Sequence, residues 1–181
     1  MNKENIKGVI FDMDGVITDN GEQDFLAWKR VFADFNLELT IEGYKSFTGM
    51  KGEEIICKYI RPEAGAEEAT MLTRRKEDYF IEEIKKNKIE PTKGIERFLI
   101  ELKNNNIKMG IGTAAKVAKY LNLKPEECVV IEDAPNGIEA AKNGGIKCIA
   151  ITTTHKEAEL KQADKIINSF DEFNIDELNK I

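Results

Sequence analysis

Apolar residues along the chain keep two rhythms. One is short and rich in β-branched residues: Val9 to Phe11, Ile107 to Ile111, Cys128 to Ile131, Ile146 to Ile151 and the brief pair Ile166-Ile167. Such runs predict strands, and Val9 to Phe11 and Cys128 to Ile131, unbroken and closed by acidic residues, predict buried ones. The other rhythm returns every three to four residues and predicts amphipathic helices. Glu22 to Phe35 carries Phe25, Leu26, Trp28, Val31, Phe32 and Phe35 on one broad face, a pattern that reads as core. Further helices are expected over Glu53 to Ile60, Ala66 to Lys86, Lys93 to Lys103, Ala114 to Leu121, Asn136 to Asn143 and Lys156 to Gln162, with a last turn or helix from Phe170. Pro62 has no amide hydrogen for a helix interior and separates the second from the third. Gly144-Gly145 stops the sixth. Leu39 to Lys51 is mixed and reads as turn.

From Pro91 onward strand and helix alternate. That order predicts an α/β fold with a mostly parallel sheet and helices on both faces. Residues 20–90 hold helices only, so they are expected to form a separate layer inserted after the first strand, leaving 1–19 and 91–181 as the α/β core.

The chain has 181 residues, 41% hydrophobic and 33% charged, enough for a buried core without disulfide support. Lys and Arg number 27 against 33 Asp and Glu, a net charge of −6. This acidic balance argues against nucleic acid or anionic lipid as the main partner, while leaving room for a local basic pocket. No stretch approaches the about 18 apolar residues of a membrane span, and the opening residues do not resemble a signal peptide. Cys57, Cys128 and Cys148 are odd in number, widely spaced and set among apolar neighbours, as reduced thiols of a cytoplasmic protein would be.

Acidic residues gather where strands end. Asp12 and Asp14 follow the first strand at a spacing that turns both carboxylates to one side of an extended chain. Glu132 and Asp133 follow the strand that begins at Cys128. Open α/β sheets bind ligands at these carboxyl ends. Paired acids repel and lose hydration unless a cation offsets them, and Mg²⁺ accepts a few carboxylates together with water and phosphate. Either acid of the second pair also suits the start of the next helix as an N-terminal charge. Thr113, beside Gly112 and before a helix, is placed to hold phosphoryl oxygens, although threonine is also an ordinary N-cap. Lys116 is the nearest cation in sequence. His155, the one histidine, lies beyond a strand and reads as a loop residue with no relay partner nearby.

These residues resemble the haloacid dehalogenase superfamily, in particular its β-phosphoglucomutase-like branch. The likeness is carried by Phe11-Asp12-Met13-Asp14-Gly15-Val16, Gly112-Thr113 and Val129-Val130-Ile131-Glu132-Asp133-Ala134-Pro135-Asn136-Gly137-Ile138-Glu139-Ala140-Ala141. Weaker echoes are Phe25 to Lys29, Thr48-Gly49-Met50 and Thr153-Thr154-His155. The resemblance implies a Rossmann-like core, with 20–90 as a helical cap. It implies that Asp12 is the nucleophile that becomes an aspartyl phosphate and that Asp14 is the acid and base. Thr113 would hold the phosphoryl group. Asp12, the Asp14 carbonyl, Asp133 and Glu132 would be the Mg²⁺ set.

Two departures from the family pattern stand out. Several dozen residues, including a catalytic lysine, are absent between Thr113 and the Glu132-Asp133 strand, so the sheet is expected to be one strand short at an edge. Lys116 or Lys93 is the candidate substitute for that lysine. Asp24 occupies the place where sugar-phosphate mutases of the branch carry a histidine, while Lys76 and Lys51 resemble cap positions that often face substrate, although both also read as solvent-facing helix or turn charges. The expected function is a Mg²⁺-dependent phosphatase of a small phosphorylated metabolite, acting as a monomer. The alternatives are a β-phosphoglucomutase-like mutase and a catalytically impaired binding protein.

Overall fold

In the computed structural model, residues 6–112 and 114–181 are described. The chain runs β1 (Gly8–Phe11), β2 (Thr18–Asp19), α1 (Gly21–Asp34), α2 (Ile41–Lys45) and α3 (Gly52–Ile55), the last passing into a π-helical turn at Ile56–Ile60. Next come α4 (Ala66–Lys86), β3 (Glu90–Pro91), α5 (Ile95–Asn104), β4 (Lys108–Ile111), α6 (Ala114–Tyr120) and β5 (Cys128–Glu132). The remainder is α7 (Pro135–Asn143), β6 (Lys147–Ile151), β7 (Lys165–Ile167) and α8 (Ile175–Leu178). Two compact units result, one from the segments through Asp19 and from Glu90 on, the other from Asn20–Ile89.

The first unit is built on a five-stranded sheet of order β4-β1-β5-β6-β7, and every pairing in it is parallel. Side chains alternate between two cores. Val9, Phe11, Val129, Ile131, Ile149 and Ile151 face one side with Phe98, Phe170 and Phe173. Ile10, Cys128, Val130, Cys148 and Ala150 face the other with Ile138 and Leu160. Burial on both faces explains the unbroken apolar runs of β1 and β5, since no position is left there for an outward polar residue, whereas the edge strand β4 exposes Lys108 and Ile111. Each buried valine, isoleucine, leucine or phenylalanine of the two cores contributes about 1.5–3 kcal/mol. From β1 the chain builds β4 on one side and then crosses to β5 on the other, so the carboxyl ends of β4, β1 and β5 flank a topological switch point. β2 and β3 form a separate antiparallel pair, Asp19 against Glu90.

The second unit packs α1 against α4 around Phe47, whose ring meets Trp28, Phe32, Tyr44 and Tyr59. Trp28 is core, as the helical spacing predicts. The Lys76 ammonium pairs with Asp24, lies 4.9 Å from the Phe80 ring centre, and shares Asp24 with the Tyr44 hydroxyl at 2.9 Å.

Three expectations need correction. Residues 39–51 are not all turn: Thr40 accepts the Gly43 amide at 3.1 Å and starts α2. Residues 156–162 give only a 3-10 turn, Glu157–Glu159. Leu160 is drawn into the core and Asp164 already pairs with the Cys148 backbone, which commits the chain to β7. The two-residue strands β2 and β3 carry no apolar run and were not expected.

Candidate active site

Register brings the acidic residues together. Phe11 lies level with Ile131 on one side and Ile111 on the other. Asp12 therefore leaves the sheet beside Glu132 and Gly112, its amide bonding the Ile131 carbonyl at 3.0 Å. Immediately afterwards the chain turns. The Met13 carbonyl accepts the amides of Ile17 and Thr18, at 2.9 and 3.0 Å, and the Gly15 amide reaches the Thr18 carbonyl at 2.8 Å. Gly15 has φ +80°. A Cβ there would stand 2.2 Å from Asp133 Oδ2, so the backbone of the first acidic loop presses directly on the carboxylate of the second.

Asp133 is buried, and the Thr154 hydroxyl donates to its Oδ2. Thr153, one residue earlier, donates to the Gly15 carbonyl at 2.6 Å. His155 Nδ1 lies 2.9 Å from Thr154 Oγ1 and 3.1 Å from the Asp133 carbonyl oxygen. His155 thus has relay partners, contrary to the expectation of an isolated loop residue. Glu132 turns back on the start of α7, its Oε2 accepting the amides of Asp133 and Ala134 at 2.8 Å each. A Cβ on Gly137 would fall 1.9 Å from Glu132 Oε1, so only glycine leaves room for that carboxylate. Those two amides precede α7, which has no side-chain cap, so Glu132 closes the turn between β5 and the helix, and this engages one of its two carboxylate oxygens.

Burial and mutual repulsion disfavour the charges. Burial, then repulsion from Asp12 and Asp133, pushes the Glu132 carboxyl up to about 7. Burial and the Asp12 charge push Asp133 up to about 6, against the Thr154 hydrogen bond. Asp12 is raised by burial and by Asp14, against amide contacts from Met13 and Asp14. Among the described residues, no three acidic, histidine or cysteine side chains close around a point tightly enough to hold an ion alone. Acids that raise one another's proton affinity in this way nevertheless fit a Mg²⁺ ion, which needs few protein ligands and takes the rest of its shell from water and phosphate.

Lys116 sits exposed on α6 and makes no ion pair among the described residues. Lys93 is paired with Asp171 at 3.1 Å. Thr113 lies outside the described residues, so its phosphoryl-holding role stays an expectation.

With this geometry in place, comparison with known proteins is decisive about ancestry. The sequence model of the haloacid dehalogenase-like hydrolases matches residues 9–120. The chain belongs to that family, and it is an enzyme. Among curated relatives, β-phosphoglucomutase of Bacillus subtilis is 27% identical over 188 residues, covering 81% of this chain and 83% of its own length. Validoxylamine A 7'-phosphate phosphatase of Streptomyces hygroscopicus is 23% identical, covering 92% and 95%. Among solved folds, a HAD hydrolase from Entamoeba histolytica superposes with TM-score 0.87 at 21% identity, covering 97% and 98%. The β-phosphoglucomutase of Clostridium difficile gives 0.80 at 24%, covering 97% of each chain. The Bacillus alignment spans 188 residues yet takes in only 81% of a 181-residue chain, so several dozen of its positions have no counterpart here.

Proposed function

We propose that this HAD-like hydrolase is a Mg²⁺-dependent phosphatase acting on a small phosphorylated metabolite through an aspartyl phosphate on Asp12. The observation that carries it is the convergence of Asp12, Glu132 and Asp133 at adjacent strand ends, close enough to disfavour one another's charge. In the first half-reaction an Asp12 oxygen attacks phosphorus, the bond from phosphorus to the leaving oxygen breaks, and Asp14 gives that oxygen its proton. In the second, Asp14 takes a proton from water as the water oxygen attacks phosphorus, releasing phosphate and restoring Asp12. Mg²⁺, when bound by Asp12, Asp133 and the Asp14 carbonyl with Glu132 in support, supplies positive charge opposite the phosphoryl oxygens. Thr113 and Lys116 are the candidate partners for those oxygens. Residues 20–90 are assigned substrate selection as the cap, and the enzyme is taken to act as a cytoplasmic monomer. Three free cysteines agree with a reducing compartment.

Hydrolysis is favoured over mutation of a sugar phosphate because Asp24 stands where the mutases place a histidine, and because it is already held by Lys76 and Tyr44. A phosphate-release screen over sugar phosphates, nucleotides and an aryl phosphate tests this. Release that requires Mg²⁺ and stops with EDTA is expected. Interconversion of sugar phosphates without net release would favour the mutase.

The same acids set a pH dependence. A carboxyl with a folded pKa above its unfolded value binds more protons when folded, so its stability contribution is lost as pH rises. With Asp133 at about 6 and Glu132 at about 7, the EDTA-treated protein should melt at progressively lower temperature from about pH 5 to about pH 7. Mg²⁺ should restore more stability at the upper end, where more of the acids are ionised. Calorimetric scans with and without the ion check this. A flat difference across that range would contradict it.

A further inference from the structure

We propose that Thr154 is a positioning residue that presets the Asp133 carboxylate for a divalent cation, with its hydroxyl oriented by His155, a proposal that rests on the metal role given to Asp133 above. The sheet register carries the placement. Glu132 lies level with Ala150, so the residues following β6 run alongside those following β5. This brings Thr154 to Asp133 across 21 positions of sequence.

Donor and acceptor counting then fixes the direction of each bond. An ionised carboxylate only accepts and is the nearer and more charged of the two acceptors in reach, the Asp133 carbonyl lying at 3.3 Å, so the single hydroxyl proton of Thr154 goes to Asp133 Oδ2. Thr154 Oγ1 is left with lone pairs toward the ring nitrogen 2.9 Å away. The other group at that nitrogen, the Asp133 carbonyl at 3.1 Å, is also an acceptor. Both neighbours of His155 Nδ1 therefore ask it for a proton, and the ring must carry its hydrogen on Nδ1. On the opposite side, the missing Cβ of Gly15 leaves room for Asp133 Oδ2, and Thr153 ties the Gly15 carbonyl at 2.6 Å. One carboxylate oxygen is thus held from two directions, which sets the plane of the group before any ion arrives. Outer-shell hydrogen bonds of this kind orient ligands and govern metal affinity.

The test uses Mn²⁺ as a paramagnetic probe, with binding to the full chain followed by electron paramagnetic resonance. Thr154→Val should weaken Mn²⁺ binding by about tenfold, whereas Thr154→Ser, which keeps the hydroxyl, should stay within about twofold of wild type. Asp133→Asn serves as reference. If Asp133→Asn loses Mn²⁺ while folded Thr154→Val binds like wild type, the positioning role is overturned and the metal site stands. If wild type and Asp133→Asn bind Mn²⁺ alike, the metal site itself is overturned and the positioning role with it. A second readout needs neither metal nor variant. His155 is the only histidine of the chain, so long-range ¹H–¹⁵N spectra of the neutral ring report its tautomer without overlap. A proton on Nδ1 is expected. A proton on Nε2 alone would reverse the relay and overturn the proposal.

Discussion

Asp12→Asn is expected to lower phosphate release by at least about a thousandfold while leaving the protein folded. The amide has nearly the shape of the carboxylate but a far poorer nucleophilic oxygen and no charge for a cation. Both proposed functions of Asp12 are therefore lost in one change. The fold should not suffer, because Asp12 sits where burial and Asp14 already disfavour its charge. Its amide, which bonds Ile131 in the ladder, is unchanged by the substitution. The variant should melt at or above the wild-type temperature in the absence of Mg²⁺. Loss of activity together with retained or raised stability separates a chemical role from a structural one. Phosphate-release assays and thermal melts on the same preparation check both halves.

Gly15→Val should have the second largest effect, for a reason of space. Backbone at φ +80° costs a β-branched residue about 1–3 kcal/mol. The new Cβ would also meet Asp133 Oδ2 at 2.2 Å and its Cγ at 2.8 Å. Asp133 cannot simply turn away, since Thr154 holds the same oxygen. Either the Met13 to Thr18 loop opens or the carboxylate moves, and a shift of about 1 Å in such a group costs on the order of a hundredfold in rate. Turnover should fall by that order and the melting temperature by several degrees. Gly21→Ala is the control, because a Cβ there meets nothing within 4 Å. It should change neither. Wild-type turnover in Gly15→Val would mean that the contact between the two acidic loops is unimportant.

What could be read from the sequence follows the range of the forces involved. β1 and β5 were legible because burial on both faces leaves an unbroken apolar run, and each run ended in acids that the register then set side by side. Helix α4 was legible to its ends, since Pro62 breaks the chain shortly before it and a long stretch free of proline and glycine follows. The short elements were not. The Thr40 cap that starts α2 competes with Gly43 inside it, and strands of two residues leave no periodicity to detect. Among the site residues, Asp12, Asp133 and Glu132 announced themselves by position after a strand. By sequence Glu132 suits either a helix-start charge or a metal-site acid, and in the fold one of its oxygens accepts the Asp133 and Ala134 amides just ahead of α7. The contribution of Thr154 and His155 was hidden, because it depends on β6 lying next to β5. The one available signal was the run Thr153-Thr154-His155 after a strand, a polar cluster at another carboxyl end.

The most direct measurement is the fate of the phosphoryl group itself. Enzyme mixed with a turned-over substrate, quenched in acid during steady state and digested, should yield a phosphorylated peptide whose modified residue is Asp12, absent from Asp12→Asn. Sustained phosphate release with no phosphoryl group on Asp12 at any time sampled, and with Asp12→Asn equally active, would contradict nucleophilic attack by that carboxylate.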